Sequence, residues 1–414
     1  MKTRDEIQAK ALEEIKEYKR LILSWSTGVG KSLVGIKLFD YLLKSDKDAR
    51  FLIVVAETAH KKNWYEEFVK HLGAAAATSL WKHVDIECYA SLKKVCTNEY
   101  KAIIFDEAHH LNSEIRMDYL SAMRAEYVIC MSATMAGRKF FALRSTLDIT
   151  FGNFLISKIK LQDAIDNNII PIPEIRVIPL TLKRAPNTAV YIKEWGMQNR
   201  RVSIHCQYSD RFKYLGDRKK YHDVTLSIHC SEYEKYIEMC NDIEYWKKRA
   251  LTNPGNIALK NKWLQIGSQR KRFLGDLKLE KAHNLIEMIK AADKRFICYC
   301  SSVLQAEALG GKNCIHSKKA YNQNVIDSFN SGKISSLFAV NMGQEGLNLK
   351  DIEVGVIIQL DGEERGWIQK SGRIYRAEHP VIYVLYVKDT RDEEYFKNAI
   401  EGINPDYIKE VSLI

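Results

Sequence analysis

Apolar residues along the chain recur in two alternating patterns. Short apolar or alternating runs are followed by longer segments in which apolar residues recur at helical spacing. The runs predict strands at Leu21–Leu23, Phe51–Ala56, Val84–Cys88, Ala102–Phe105 and Tyr127–Met131, and again at Phe296–Cys300, Leu337–Val340, Val354–Ile358 and Val381–Val387. This strand–helix rhythm predicts two α/β domains, each with a mostly parallel sheet covered by helices on both faces.

The middle of the chain breaks this rhythm. An alternating run at Pro173–Lys183 leads into a polar, basic and aromatic-rich stretch. Helical spacing begins near Ser231, and Asn253–Gly255 separates two predicted helices. We therefore expect three regions, which are a first α/β domain over 1–172, a basic, mainly helical linker or insert over 173–280, and a second α/β domain over 281–414.

Length and composition are those of a folded protein with more than one domain. With 414 residues, of which 46% are hydrophobic, the chain can bury two or three cores. Its apolar runs are too short to span a bilayer, and its charged first residues do not resemble a secretory signal. The nine cysteines show no repeated CxxC spacing, which suits reduced thiols. We expect a cytoplasmic protein with no membrane partner; for a viral protein this would be the host cytoplasm.

Positive charge is concentrated in the middle region. The whole chain has a formal net charge of +11. The stretch Lys183–Lys281 contains 21 Lys and Arg residues against 11 Asp and Glu residues, so +10 of this charge lies there. Such a concentration fits a surface that contacts nucleic-acid phosphates, and it fits a solvated helical face equally well.

The stretch STGVGKS at 26–32 carries the clearest candidate chemistry. It follows the first predicted strand and opens a predicted helix, as a P-loop does. Its glycines allow backbone N–H groups to turn toward an anion, and the helix N-terminus adds partial positive charge. The predicted phosphate-binding residues are Ser26, Thr27, Gly28, Val29, Gly30, Lys31 and Ser32.

Two side chains of this loop have predicted roles of their own. Lys31 would reach the β- and γ-phosphates of ATP, and the Ser32 hydroxyl would hold Mg²⁺. The full P-loop pattern has a glycine five residues before Gly30, where this chain has Trp25. The alternative is a glycine turn between a strand and a helix, with a lysine that is merely solvated.

Asp106 and Glu107 end a predicted strand, 75 residues after Lys31. In nucleotide hydrolases the first of two such acids binds Mg²⁺ and the second polarises the attacking water. An Asp before a helix can instead be a capping residue. The P-loop upstream favours the catalytic interpretation, with Ser32 and Asp106 at the metal.

Several short motifs in order resemble those of superfamily 2 helicases and translocases. Asp106–His109 (DEAH) and Ser132–Thr134 (SAT) look like motifs II and III. Arg295–Ser301 resembles motif IV, and Gly346–Asn348 resembles motif V. Gln369–Arg376 (QKSGRIYR) is similar to the Q-x-x-G-R-x-x-R pattern of motif VI. The resemblance covers residues 5–172 and 280–405 and implies two RecA-like P-loop domains.

Two further stretches resemble the Swi/Snf-type ATPases of this superfamily. Leu52–Ala56 with Asn63–Trp64 and Glu66–Phe68 looks like the motif Ia region. The stretch from Gln269 to Leu285 is similar to the helix that enters the second lobe in that group. The basic triplet Arg270, Lys271 and Arg272 in this stretch is the predicted nucleic-acid contact.

The resemblance also implies roles for single residues. Gln8 is placed like the glutamine that reads adenine, and Gly346 and Asn348 would contact the nucleotide. The predicted coupling residues between ATP and the lobes are His109, Ser132, Thr134 and Gln369, although Ser132 and Thr134 could equally cap the next helix.

Arg373 and Arg376 are the predicted cationic groups at the γ-phosphate. They are three residues apart and share one helical face. The planar guanidinium is always charged and binds phosphate through two hydrogen bonds.

Together these features predict an ATP-dependent nucleic-acid translocase or helicase. It would hydrolyse ATP with Mg²⁺ between two RecA-like lobes, and the Swi/Snf-like features favour DNA over RNA. The short chain suggests a minimal motor, such as a viral one. Two alternatives remain open, which are an RNA helicase of the same fold and a nucleic-acid-binding clamp with a vestigial ATPase.

Overall fold

The computed structural model of the chain describes residues 3–133, 137–185, 188–196, 212–215, 222–316, 322–340, 349–360 and 364–412. The chain forms two compact units. We call Met1–Ile178 with His283–Val384 and Glu394–Ile414 the core unit. We call Pro179–Ala282 with Leu385–Glu393 the insert unit.

Helices and strands alternate through most of the described chain. The strands are β1 (Arg20–Trp25), β2 (Phe51–Val55), β3 (Val84–Cys88), β4 (Glu99–Asp106), β5 (Arg124–Met131), β6 (Leu155–Ile159), β7 (Glu174–Leu180), β8 (Thr188–Gly196), β9 (Phe212–Leu215), β10 (His222–Cys230), β11 (Phe296–Tyr299), β12 (Cys314–Ile315), β13 (Ser336–Ala339), β14 (Val354–Ile357), β15 (Val381–Val387) and β16 (Ile408–Glu410). The helices are α1 (Arg4–Tyr18), α2 (Lys31–Ser45), α3 (Thr58–Leu72), α4 (Ala74–Trp81), α5 (Glu114–Ala122), α6 (Gly137–Phe151), α7 (Leu161–Asp166), α8 (Glu232–Thr252), α9 (Ile257–Asp276), α10 (Leu279–Ala291), α11 (Val303–Gly310), α12 (Asn322–Asn330), α13 (Glu364–Ile374) and α14 (Arg391–Ala399).

The first lobe of the core unit is built on a six-stranded sheet in the order β3–β2–β4–β5–β1–β6, with parallel pairing throughout. Every side chain of β2 is buried, as expected for an inner strand with helices on both faces. Leu23, Met131 and Asp106 lie level with one another at the carboxyl ends of β1, β5 and β4. The residues that follow these strands therefore meet at one edge of the sheet, where open α/β sheets bind ligands.

The second lobe of the core unit is built on a seven-stranded sheet in the order β12–β13–β11–β14–β15–β7–β16. The strands from β12 to β15 pair in parallel, and β16 pairs in parallel with β7. The alternating run Pro173–Lys183 supplies β7, so this segment belongs to the second sheet. The two parallel sheets flanked by helices confirm the predicted α/β class with two RecA-like lobes.

The insert unit combines a small antiparallel sheet with a long helical hairpin. The sheet has the order β8–β10–β9, and the hairpin consists of α8 and α9. Its core packs Tyr236 of α8 and Phe273 and Leu274 of α9 around Val387. The buried Lys278 ammonium lies 2.5 Å from the Asp392 carboxylate, which also accepts a hydrogen bond from the Val387 N–H. Burial lowers the pKa of Lys278, and the charge of Asp392 opposes this.

The antiparallel sheet was not part of the sequence prediction, which described this region as mainly helical. The signal was present, because Val224, Leu226 and Ile228 alternate with polar residues along β10. The predicted domain limits at 172 and 280 stay predictions. No described helix is both long and apolar enough to cross a membrane.

Candidate nucleotide site

The turn between β1 and α2 is shaped to receive an anion. Gly28 and Gly30 have φ angles of 92° and 94°, in the left-handed region that glycine adopts without strain. A Cβ on Gly30 would also clash with the Gln8 amide. No side chain caps the N-terminus of α2, so backbone N–H groups of its first turn remain to bind a ligand.

Lys31 is held inside this turn. Its Nζ donates to the Trp25 carbonyl at 2.9 Å, and the Ser26 carbonyl lies 3.4 Å away. Burial lowers the pKa of Lys31, and the charges of Glu107 and Asp106 oppose this. The ammonium is thus placed in the loop before any ligand binds.

Trp25, the departure from the P-loop pattern, is a buried anchor at the end of β1. Its indole N–H donates to Ser157 Oγ at 2.9 Å, on the neighbouring strand β6. Its side chain is completely buried, while its carbonyl accepts from Lys31. The hydrogen bond from Lys31 to the loop backbone is therefore made even though Trp25 stands where the P-loop pattern has glycine.

Gln8 lies against the same loop from α1. Its Nε2 donates to the Val29 carbonyl at 2.9 Å, and Val29 itself is buried. Its Oε1 is buried and makes no hydrogen bond with the residues that the structure describes. This oxygen is therefore an unused acceptor at the predicted adenine end of the site.

The acidic pair lies at the end of β4. Asp106 Oδ2 accepts from the Trp64 indole N–H at 2.9 Å, and the Asp106 carbonyl accepts from the Tyr89 hydroxyl at 2.8 Å. Burial raises the pKa of Asp106, and the neighbouring Glu107 carboxylate raises it further. Glu107 adopts a left-handed backbone with φ 51°, which is uncommon outside glycine.

A short hydrogen-bonded chain links this pair to the end of β5. His109 Nδ1 lies 3.0 Å from Ser132 Oγ, and Ser132 Oγ lies 3.5 Å from Glu107 Oε2. Ser132 is completely buried. The structure thus brings together three residues of the predicted motifs II and III, whereas Thr134 lies outside the described residues.

Helix α13 of the second lobe packs directly on the P-loop. Gly372 makes this approach possible, because a Cβ there would lie 2.5 Å from Thr27 Cβ. The next residue, Arg373, is buried, and Gln369 on the preceding turn is also buried. A helix with any other residue at position 372 would have to move away from Thr27.

Both lobes line one cavity of about 970 Å³. The predicted site residues that line it are Gln8, Thr27, Gly28, Gly30, Lys31, Ser32, Asp106, Glu107, Gln369, Arg373 and Arg376. Ser26 and Val29 are buried in the loop itself. Gly346 and Asn348, predicted to contact the nucleotide, lie outside the described residues.

The cavity also contains residues that the sequence analysis did not assign. His60 and Trp64 reach it from α3, Arg4 from α1, and Ile170 and Ile172 from the segment after α7. His60 is buried, and its Nε2 makes no hydrogen bond with the described residues. Trp64 belongs to the motif Ia resemblance, so a signal existed, but its bond to Asp106 does not follow from spacing.

The donors in this cavity fit Mg²⁺. The Ser32 hydroxyl and the Asp106 carboxylate are hard oxygen ligands. Burial and the neighbouring Glu107 carboxylate both raise the pKa of Asp106, and a divalent cation would stabilise its charged form. No group of three or more His, Cys, Asp and Glu side chains is arranged to hold a metal in the described part of the chain.

The predicted nucleic-acid residues lie in α9 of the insert unit. Arg270 is only partly exposed, because it donates to Cys240 Sγ at 3.2 Å and lies 5.9 Å from the Tyr236 ring centre. Lys271 is also partly exposed, and Arg272 is exposed. Of the three, Arg272 is the most accessible to a partner.

Comparison with known proteins matches each lobe to a family. Residues 1–137 match the family model described as type III restriction enzyme, res subunit. Residues 278–378 match the model of the helicase conserved C-terminal domain.

A curated relative and a solved structure extend the comparison. A 75-residue segment of the chain is 28% identical to a putative ATP-dependent DNA helicase, fml2, of Schizosaccharomyces pombe. The matched segment makes up 18% of this chain and covers 10% of the length of that protein. The Pyrococcus furiosus Hef helicase domain has the same fold, with a TM-score of 0.50 and 14% identity over 94% of this chain and 96% of that one. The two matched models fall in order on the two lobes of this fold, and they support the resemblance to superfamily 2 helicases that the motifs indicate.

Proposed function

We propose that the protein is an ATP-dependent nucleic-acid translocase or helicase that acts on DNA. One observation supports this most strongly. Arg373 and Arg376 of the second lobe line the same cavity as Lys31, Asp106 and Glu107 of the first. An ATP site divided between two lobes links hydrolysis to lobe movement, which is what a motor requires.

The first lobe would bind the nucleotide. Lys31 and the free N–H groups of α2 would contact the phosphates, and the Gln8 Oε1 would accept a hydrogen bond from the base. Ser32 and Asp106 would hold Mg²⁺, which neutralises phosphate charge when bound. The Trp64 N–H orients the Asp106 carboxylate for this task.

The second lobe would complete the site. Arg373 and Arg376 would stabilise the charge that develops on the γ-phosphate, a contribution of about 10³–10⁵ in rate for an arginine in this role. Glu107 would orient the attacking water. Because the Arg pair and Lys31 belong to different lobes, loss of the γ-phosphate would weaken the attraction between the lobes.

The hydrogen bonds that join His109, Ser132 and Glu107 would transmit this change within the first lobe. A Ser132 hydroxyl bonded to the His109 ring lies near the catalytic acid, so a shift at Glu107 would be felt at the end of β5. We assign the DEAH sequence to this coupling. The Swi/Snf-like stretches favour movement along DNA over strand separation.

DNA is the favoured polymer for two reasons. The fission-yeast relative is described as a DNA helicase, and two stretches of this chain resemble the Swi/Snf-type ATPases. An RNA helicase of the same fold and a clamp with a vestigial ATPase are the alternatives. Lys31 and Asp106 are partly buried and hydrogen-bonded, which favours an active ATPase over a vestigial one.

ATP hydrolysis with different polymers separates these possibilities. We expect double-stranded DNA to stimulate hydrolysis by the full chain more than single-stranded DNA or RNA does. Lys31→Ala should abolish the activity with every polymer. Stimulation by RNA alone would favour the RNA helicase, and ATP hydrolysis that no polymer stimulates would contradict the proposal.

A further inference from the structure

The distal part of the α8–α9 hairpin exposes apolar and aromatic side chains. We call residues 241–265 the hairpin tip. Ala250 is the one buried side chain of this segment, all of which the structure describes. Tyr245 is 53% exposed, and Leu251, Ile257 and Leu264 are 65%, 71% and 53% exposed. The hydrophobic contacts that fix α8 and α9 involve Tyr236, Phe273 and their neighbours at the other end of the hairpin.

Two aromatic rings of the tip form a cluster with an arginine. The Tyr245 and Trp246 rings meet edge to face, with their centres 5.3 Å apart. The Arg249 guanidinium lies 5.5 Å from both ring centres, and its Nη1 donates to the Tyr245 hydroxyl at 2.7 Å. All three residues are on α8 within one turn. Tyr245 and Arg249 are exposed and Trp246 is half-buried, and none of the three belongs to the core of the unit.

Positive charge exceeds negative charge around this cluster. The hairpin tip includes Lys247, Lys248, Arg249, Lys260 and Lys262 against Asp242 and Glu244. The Lys262 charge acts on the Asp242 carboxylate, so this lysine already has an acid of α8 as a neighbour. Residues 247–262 themselves contain no acid, so the cations that follow the cluster favour an anion supplied by a partner.

We propose that the hairpin tip binds unpaired nucleotides of the nucleic-acid substrate, with a base stacked on the Tyr245–Trp246 cluster and phosphates on the surrounding lysines. This rests on the proposed function for the identity of the partner. Aromatic rings among basic residues suit single-stranded nucleic acid, because every base has a face that stacks and every nucleotide has a phosphate. An acidic protein would match the charge but would leave the exposed ring faces without a specific role.

Binding to matched DNA probes tests the aromatic part of this proposal. The full chain is titrated into a labelled blunt duplex, the same duplex with an unpaired tail, and the tail alone as DNA and as RNA. For the double variant Tyr245→Ala/Trp246→Ala we expect about a tenfold weaker affinity for the tail and the tailed duplex. The affinity for the blunt duplex should be unchanged, since it presents no unpaired base.

Two further variants serve as controls. Tyr41 of the core unit is another exposed tyrosine, and the Lys16 ammonium lies over its ring. Tyr41→Ala should leave the affinity for every probe unchanged. Lys247→Ala/Lys248→Ala should weaken binding to every probe and reduce the slope of log affinity against log salt by about two. Because the tip lies outside the core of its unit, these variants should keep the melting temperature and unstimulated ATP hydrolysis of the wild type.

The outcomes separate this inference from the proposed function. If the wild type binds the probes but the aromatic double variant binds the tail equally well, the stacking site is wrong and the motor proposal stands. An equal loss for the blunt and tailed duplexes also contradicts stacking. If Leu251→Ala/Leu264→Ala lowers affinity for the tail as much as the aromatic variant does, the ring faces are not the determinant. A wild type that binds no probe contradicts both proposals.

Discussion

The nucleotide cavity and the hairpin tip both collect positive charge, but they hold it in opposite ways. In the cavity, Lys31 is partly buried and bonded to a backbone carbonyl of its own loop. At the tip, Arg249 is exposed and bonded to a tyrosine on its own helix. A partly buried charge in a fixed hydrogen bond is already placed for catalysis, because little reorganisation remains when a ligand arrives. Exposed charges can instead follow a partner whose shape varies.

This difference predicts how each region responds to substitution. In the cavity, a change of one atom should alter the chemistry, because neighbouring groups cannot move away. At the tip, the same change should alter binding alone. Three matched pairs of variants can test the contrast: one pair has a member in each unit, one lies in the core unit and one lies in the insert unit.

Among the matched pairs, the largest effect is expected from two helical glycines. Gly372→Ala puts a methyl group 2.5 Å from Thr27 Cβ and must push α13 away from the P-loop. We expect kcat for ATP hydrolysis to fall by about 10- to 100-fold, since displacements near 1 Å can cost this much. In α9, Gly267 has nothing within 4 Å of its Cβ position. Gly267→Ala should keep the wild-type kcat and raise stability by up to about 1 kcal/mol.

Steady-state kinetics and thermal unfolding of the two variants check this pair. An unchanged kcat in Gly372→Ala would show that the lobes do not need this close approach. That result would contradict the divided site.

A smaller effect is expected from two tryptophans of the first lobe. Trp64→Phe removes the N–H that donates to Asp106 while keeping an aromatic ring. A hydrogen bond to a charged group is worth about 1.5–3 kcal/mol, so the Mg²⁺ concentration for half-maximal activity should rise about tenfold or more. Trp81 packs edge-on against Tyr65 and Phe68, and Trp81→Phe should leave this concentration unchanged.

Binding provides a second readout for Trp64. The stabilisation of Trp64→Phe by ADP with Mg²⁺, measured as a shift in melting temperature, should shrink relative to that by ADP alone. If both shifts match those of the wild type, the indole does not position the metal ligand.

The smallest effect is expected from two arginines of α9. Arg272→Glu changes an exposed charge and should weaken DNA binding a few-fold, with a lower salt dependence and unchanged stability. Arg270→Glu should also lower the melting temperature, because Arg270 contacts Cys240 and Tyr236. Equal DNA affinity in Arg272→Glu and the wild type would identify this patch as a solvated helical face.

The fold of the two lobes could be predicted because its signals are local. An apolar run such as 51–55 identifies a buried strand, and Asp106 directly follows the predicted strand at 102–105. The sequence also marked Ser231 and Asn253–Gly255 as limits of the hairpin helices. Each of these judgements depends on a few consecutive residues.

Other contacts could not be predicted because they depend on how distant elements pack. Trp64 reaches Asp106 across 42 positions, and only the orientation of α3 on its sheet decides this. Gln8 was expected to read a base, but spacing gave no sign that its amide would also bond to Val29. The strands β8 to β10 were missed because the sequence prediction described their region as a basic, mainly helical insert.

The most direct test of the divided site compares ATP binding with ATP hydrolysis in Arg373→Ala. The first lobe provides the P-loop, so this variant should bind a fluorescent ATP analogue within about threefold of the wild-type affinity. Its hydrolysis, with saturating DNA, should be no faster than that of Lys31→Ala. Wild-type hydrolysis by Arg373→Ala would contradict the claim that both lobes build one site.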